Sequence, residues 1–162
     1  MNRAMQQTAV YQPTADRTKK SNKISPPNKA RVFILEDELL VLEDLKQRLI
    51  QQSYEVVGTA SSGNEAIDKI ISSDPDLVIM DVRLKGELDG IEVAIIIQSH
   101  FDDPIPVIFV TGLSDQAFDY LKVLPDYIYL NKPYDDTVLF DAIEAALKKT
   151  TAKADIQIKR LP

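Results

Sequence analysis

An α/β fold built on a parallel sheet is predicted from three features of the chain. Five short runs rich in β-branched and aromatic residues alternate with five stretches of helical periodicity. The runs are apolar throughout rather than alternating, as expected of strands buried on both faces. The length of 162 residues suits one domain with tails rather than two domains.

Residues 1–29 are poor in apolar side chains and end at Pro26-Pro27, so they read as a disordered tail. Arg31-Val32-Phe33-Ile34-Leu35 then reads as a buried strand. Leu39, Leu42, Leu45, Leu49 and Ile50 recur at helical spacing. Tyr54 to Ala60 is a second strand, and Gly63 to Ser72 a helix with Ala66, Ile67, Ile70 and Ile71 on one side. Pro75 prevents that helix from continuing. Leu77 to Met80 is a third strand, followed by a helix from Gly90 to His100. Val107 to Val110 is a fourth strand, and Gln116 to Leu124 a short fourth helix. Tyr127 to Leu130 is the last strand, and Asp135 to Lys149 the last helix. Residues 30–149 thus form the domain, and residues 150–162 a short polar tail.

Composition excludes several functions. With no cysteine there is no disulfide, thiol chemistry or cysteine-bound zinc, which fits a cytoplasmic location. A single histidine, His100, excludes a histidine-rich metal site; at the end of the third helix it reads as a surface or capping residue. Apolar stretches such as Val93 to Ile97 are too short to cross a bilayer, and no apolar run follows the basic N-terminus as in a secretory signal. The net charge of −6 is unevenly spread. Residues 1–29 carry six basic and one acidic side chains, and the remainder thirteen basic and twenty-four acidic. An acidic body repels nucleic acid and attracts cations. The basic tail could touch an anionic surface, but a solvated arm is the simpler reading.

In an open parallel sheet, ligands bind beyond the carboxyl ends of the strands. The first strand runs into Glu36-Asp37-Glu38, the third into Asp81, the fourth into Thr111-Gly112 and the fifth into Asn131-Lys132-Pro133. The second runs into Ser61-Ser62-Gly63, with no comparable charge. One edge therefore receives Glu36, Asp37, Asp81, Thr111 and Lys132. Clustered carboxylates suit a hard cation such as Mg²⁺. A carboxylate beside a metal can act as a nucleophile toward phosphorus. A hydroxyl and an ammonium can bind the transferred phosphoryl oxygens. Each feature alone has a plain explanation: a turn aspartate, an incidental Lys-Pro, an acidic first helical turn. Their joint placement after successive strands is harder to obtain by accident. Acids rather than a glycine-rich loop follow the first strand, so neither a dinucleotide site nor a P-loop fits.

At these residues the chain resembles the receiver domains of two-component response regulators. The resemblance spans about residues 30–149. It rests on Val32-Phe33-Ile34-Leu35-Glu36-Asp37-Glu38, Asp76-Leu77-Val78-Ile79-Met80-Asp81, Pro106-Val107-Ile108-Phe109-Val110-Thr111-Gly112 and Tyr129-Leu130-Asn131-Lys132-Pro133. It implies a doubly wound, flavodoxin-like sheet of order 2-1-3-4-5 with five helices. It implies Asp81 as phosphoacceptor, Asp37 as direct metal ligand, Glu36 as an acid holding metal through water, and the Arg83 backbone carbonyl as a third protein ligand. Thr111 and Lys132 would meet the phosphoryl group, and Tyr129 would turn inward on activation, although a core-packing role for Tyr129 is the simpler alternative.

The same resemblance implies Mg²⁺ as cofactor and a phosphohistidine donor on a sensor histidine kinase or a histidine phosphotransfer protein. The chain would catalyse only its own phosphorylation and dephosphorylation. Output would pass by protein–protein contact through the face of the fourth helix, fifth strand and fifth helix, with a homodimer as one form and no nucleic-acid or membrane-inserting element. Lys85 stands where many receivers have proline, four residues after the acceptor, and the stretch from Asp81 to Asp89-Gly90 is one residue longer than the common pattern. Leu124-Pro125-Asp126 stands where many have Gly-Ala, and Arg83 and Leu113 hold positions that tune phosphoryl lifetime. Three alternatives are less well supported, the first two because the acceptor follows the third strand as Asp81-Val82-Arg83 and none of the acids, the acceptor or the lysine is lost. A haloacid-dehalogenase-type phosphatase would want Asp-x-Asp after the first strand. A phosphate-independent scaffold would usually have lost one of these groups. A receiver cut from a larger protein is the third.

Overall fold

The computed structural model describes residues 30–112 and 127–158, with side chains as far as Lys149. The expected basic tail, the expected fourth helix (Gln116 to Leu124) and Leu113 lie outside the described residues. Five parallel strands form one sheet: β1 (Arg31–Leu35), β2 (Glu55–Ala60), β3 (Leu77–Met80), β4 (Val107–Thr111) and β5 (Ile128–Asn131). Their spatial order is β2-β1-β3-β4-β5, as the family resemblance implies. Among the described residues there are four helices: α1 (Leu39–Gln51), α2 (Gly63–Ser73), α3 (Gly90–Gln98) and α4 (Asp136–Ile158).

The continuous apolar character of β1 has a direct structural cause. Successive side chains of a strand point to opposite faces. Val32 and Ile34 pack with Leu42, Leu45 and Leu49 of α1 and Leu139 and Ile143 of α4. Phe33 and Leu35 pack with Ala66 and Ile70 of α2 and Val93, Ala94 and Ile97 of α3. Helices cover both faces, so no position in β1 after Arg31 is free to be polar. Each fully buried Leu, Ile, Val or Phe contributes roughly 1.5–3 kcal/mol of transfer free energy.

Two glycines are required by close approach. A Cβ on Gly58 of β2 would lie 2.6 Å from the Phe33 ring, which crosses over that strand. A Cβ on Gly90 would collide with the Asp81 carbonyl oxygen, and the Gly90 N–H donates to the Val82 carbonyl at 2.9 Å. The N-terminus of α3 is thereby pressed onto the chain leaving β3. A reciprocal capping box fixes it: the Asp89 carboxylate accepts from the Glu92 N–H (2.8 Å), and the Glu92 carboxylate from the Asp89 N–H (2.9 Å).

α3 ends at Gln98 rather than at the expected His100. His100 is exposed, and its Nδ1 lies 2.9 Å from the Ile96 carbonyl oxygen, so it satisfies one of the open carbonyls at the helix end. The larger correction concerns the C-terminus. α4 starts at Asp136, with Asp135 accepting from the Val138 N–H at 2.9 Å, and runs to Ile158. Residues 150–158, expected to belong to a polar tail, are helical. The physical reason is the absence of a stop signal: neither Gly nor Pro occurs between Tyr134 and Leu161, and Ala152, Lys153 and Ala154 favour helix. No helix among the described residues is long and apolar enough to cross a membrane.

Candidate functional site

The carboxyl edge of the sheet gathers the charged groups. The Glu36 N–H donates to the Ala60 carbonyl (3.1 Å), and the Asp81 N–H to the Leu35 carbonyl (2.9 Å). The ladder thus continues one step past β1 and β3, and it sets Glu36 and Asp81 side by side. On the other side of β3, Met80 pairs with Phe109 and Thr111 with Asn131, which brings the end of β5 to the same edge. The Lys132 N–H donates to the Thr111 carbonyl at 2.9 Å, and the Lys132–Pro133 peptide bond is cis.

Lys132 is the hub. Its Nζ donates to Glu36 Oε2 at 2.7 Å and to Asp81 Oδ2 at 2.8 Å. Both acids are buried. The other Asp81 oxygen accepts from the Arg83 N–H at 2.9 Å, and the other Glu36 oxygen from the Glu38 N–H at 3.2 Å. Each carboxylate therefore has a fixed orientation. Burial pushes the Glu36 carboxyl above its ordinary value, against the opposing pull of Lys132. Burial alone would also favour the neutral amine of Lys132. Its bonds to Asp81 and Glu36 outweigh that effect and hold it above the usual lysine range, so it carries its charge at neutral pH.

The loop between β5 and α4 is locked to α1. The Arg48 guanidinium lies 2.5 Å from Asp136 Oδ1 and stacks over the Tyr134 ring with its carbon 5.2 Å from the centroid. These contacts follow Lys132-Pro133 directly in the chain.

The remaining expected residues are distributed around this hub. Asp37 has a largely buried side chain, and its Oδ2 lies 3.1 Å from Lys85 Nζ. Thr111 is fully buried at the end of β4. Among the described residues, a Cβ built on Gly112, just past the end of β4, would meet only the Arg83 guanidinium, at 3.9 Å. Tyr129 stacks on Phe109 with centroids 5.3 Å apart and planes at 16°, and its hydroxyl oxygen is buried. Burial, with a smaller contribution from Tyr127, pushes its phenol up to about 12. The structure thus brings Glu36, Asp81 and Lys132 into direct contact, and sets Arg83 against Asp81 through its backbone N–H. The one group that sequence reasoning did not assign to the site is Lys85, which it treated only as a replacement for proline. Its position four residues after Asp81 was the available signal.

The donor set can be tested against a hard divalent cation. Two buried carboxylates, Glu36 and Asp81, share a single ammonium, and the only ion pair of Asp37 among the described residues is with a lysine whose side chain is 83% exposed. Negative charge therefore exceeds fixed positive charge inside the edge, and all the donors are oxygen, which fits Mg²⁺. Among the described residues no three acids are gathered into a ready cage, and the Lys132 ammonium bridges Glu36 and Asp81.

A parallel sheet of this order, with Glu36, Asp81 and Lys132 in contact at its carboxyl edge, defines a doubly wound α/β domain with a charged site beyond the strand ends. The chain belongs to the response regulator receiver domain family, whose sequence model matches residues 32–144. It is 38% identical over 119 residues to the transcriptional regulatory protein PdtaR of Mycobacterium tuberculosis, covering 74% of this chain and 57% of that protein. It is 33% identical over 120 residues to the transcriptional regulatory protein CrdR of Helicobacter pylori, covering 74% and 54%. The chain thus spans a little over half the length of these relatives. Among solved structures, it resembles the signal receiver domain of a modulated diguanylate cyclase from Desulfovibrio desulfuricans, with TM-score 0.68 and 31% identity over 76% of this chain and 98% of that one. It also resembles the response regulator PhyR from Brucella abortus, with TM-score 0.68 and 28% identity over 78% and 51%. It is therefore a receiver domain acting in two-component signalling.

Proposed function

We propose that this receiver is switched by transfer of a phosphoryl group from a phosphohistidine to Asp81. The observation that carries the reading is the buried Lys132 ammonium shared by Asp81 and Glu36. A carboxylate fixed by one backbone N–H and one ammonium is oriented for attack, and phosphoryl transfer needs mainly positioning and charge neutralisation. An Asp81 oxygen forms the new bond to phosphorus as the bond from phosphorus to the donor imidazole breaks. Lys132 then turns from its two carboxylates toward a phosphoryl oxygen, and the Thr111 hydroxyl takes another.

Asp37, Asp81 and the Arg83 carbonyl are the residues that would hold Mg²⁺, with Glu36 acting through water. When bound, the cation supplies charge neutralisation for the transferred group. Tyr129 is the proposed switch residue. It is packed beside the end of β4, so a movement of Thr111 changes the space next to its ring. The donor is a sensor histidine kinase or a histidine phosphotransfer protein, and output passes through protein contact, which includes a homodimer as one form. The proposed location is the cytoplasm, in keeping with a chain that has no cysteine.

The test is intact mass after incubation with acetyl phosphate, with and without Mg²⁺, on wild type and Asp81→Asn. One phosphoryl group gained only with Mg²⁺, and lost in Asp81→Asn, is the expected result. No gain from either acetyl phosphate or a phosphohistidine donor overturns the reading.

A further inference from the structure

Lys85 and Lys132 hold the acids of this edge in different ways. Lys132 is mostly buried and is fixed by two carboxylates at once, its side chain 22% exposed. Lys85 makes one ion pair, to Asp37 Oδ2 at 3.1 Å, and its side chain is 83% exposed while that of Asp37 is 9% exposed. The acid is built into the site. The amine is carried past it on the loop between β3 and α3.

That loop is anchored on both sides of Lys85. Leu84 and Leu88 pack against the core face that holds Val82 and Val93. Leu88 sits so close to the start of α2 that a Cβ on Gly63 would lie 2.8 Å from the Leu88 Cβ. Between the anchors, Gly86 has φ +128°, a conformation that L side chains rarely adopt, and it turns the chain directly after Lys85. The root of Lys85 is thus held near Asp37, while its charged head is free to leave for water.

We propose that Lys85 is a tethered counter-cation, which competes with the divalent cation for Asp37 and so sets the concentration of metal at which the receiver becomes competent. This rests on the reading above that Asp37 is a metal ligand. For Asp37 to hold the cation, the Lys85 ammonium would have to leave it, and the intramolecular ion pair would be lost in exchange. The loss of one largely exposed ion pair corresponds to about two- to fivefold in affinity. A neutral side chain at position 85 removes the competitor and leaves every proposed ligand in place.

The experiment is a calorimetric titration of MgCl₂ into the full chain as wild type, Lys85→Gln, Asp37→Asn and Lys148→Gln. Lys148 also pairs with an acid, Glu144, but it lies twelve residues, or about 18 Å of helix, beyond the start of α4. It reports the effect of net charge alone. The expected result is a Kd about two- to fivefold lower for Lys85→Gln, unchanged for Lys148→Gln, and binding lost in Asp37→Asn. An unchanged or higher Kd in Lys85→Gln, with Asp37→Asn still abolishing binding, overturns the competition and leaves the metal-site reading standing. Equal tightening in both lysine variants also overturns it. If neither wild type nor Lys85→Gln binds Mg²⁺, or if Asp37→Asn binds as wild type does, the metal-site reading fails and the competition fails with it.

Discussion

The Lys132 ammonium donates to the Asp81 carboxylate at 2.8 Å, across 51 residues of sequence, and to Glu36 at 2.7 Å. It is the bond that ties the last strand's loop to the first and third strands at the functional edge. It is also a buried ion pair, and such pairs respond asymmetrically to mutation. Removing one partner leaves a charge with nothing to offset its lost hydration.

Lys132→Ala should therefore destabilise the metal-free protein. Two buried carboxylates would lose their shared counter-charge, and about 2–4 kcal/mol is expected, near the value for breaking a buried pair with some discount for partial exposure. Urea denaturation in EDTA checks this. Mg²⁺ should restore more stability to the variant than to wild type, because the variant has more uncompensated charge.

Asp81→Asn should act in the opposite direction. Glu36 and Asp81 share one ammonium, so neutralising Asp81 leaves a one-to-one pair with Glu36. The amide oxygen can still accept from Lys132 or from the Arg83 N–H. Repulsion between two unit charges about 4 Å apart is worth about 1–4 kcal/mol between water and a protein surface, and after the lost attraction to Lys132 a net gain of about 1 kcal/mol is predicted. A thermal melt without metal measures it; a clear loss of stability would mean that attraction to Lys132 outweighs repulsion from Glu36.

Much of this edge was legible in the sequence because burial and topology leave few alternatives. β1 had to be apolar along Val32 to Leu35, since both its faces are covered, and so its end at Glu36 was sharp. Asp81 and Lys132 follow their strands directly, and strand ends in a parallel sheet converge. Lys85 was not legible in the same way. It sits in an exposed loop where periodicity carries no information, and its reach to Asp37 depends on the turn at Gly86. The end of α4 was misread because Thr150-Thr151 interrupt the apolar spacing, although loss of amphipathicity is not a helix stop. For Tyr129 the residue type alone does not separate a core aromatic from a switch aromatic, and its place before Lys132 is the sequence feature that favours the switch.

Tyr129 offers a pH test. Its phenol is held up to about 12 by burial, so the folded state favours the neutral form. For a raised pKa the sign follows: the contribution to stability is full below the ordinary tyrosine value near 10, and is lost as pH rises through about 12. The difference in absorbance at 295 nm between wild type and Tyr129→Phe should show a single ionisation centred near that upper value. A step near pH 10 instead would place the hydroxyl in water.

Gly90→Ala tests the packing that positions the acceptor. A Cβ there collides with the Asp81 carbonyl oxygen, and the neighbouring contacts are backbone: the Asp81 carbonyl carbon at 3.0 Å and Val82 Cα at 3.1 Å. Nothing flexible can yield, so either α3 must move away or the chain leaving β3 must shift. In a helix interior alanine is favoured over glycine by roughly 1 kcal/mol, so propensity argues for a stabilising change. Steric conflict should win, with a net loss of about 1–3 kcal/mol typical of overpacking. The same shift would carry Asp81 away from its bonds to the Arg83 N–H and Lys132. Phosphoryl incorporation from acetyl phosphate should then fall under conditions where circular dichroism shows the variant folded. Asp89→Ala separates the two effects. It removes the capping bond at the same helix end at a cost of about 1 kcal/mol without touching the Asp81 backbone, so it should lower stability while phosphorylation stays near that of wild type.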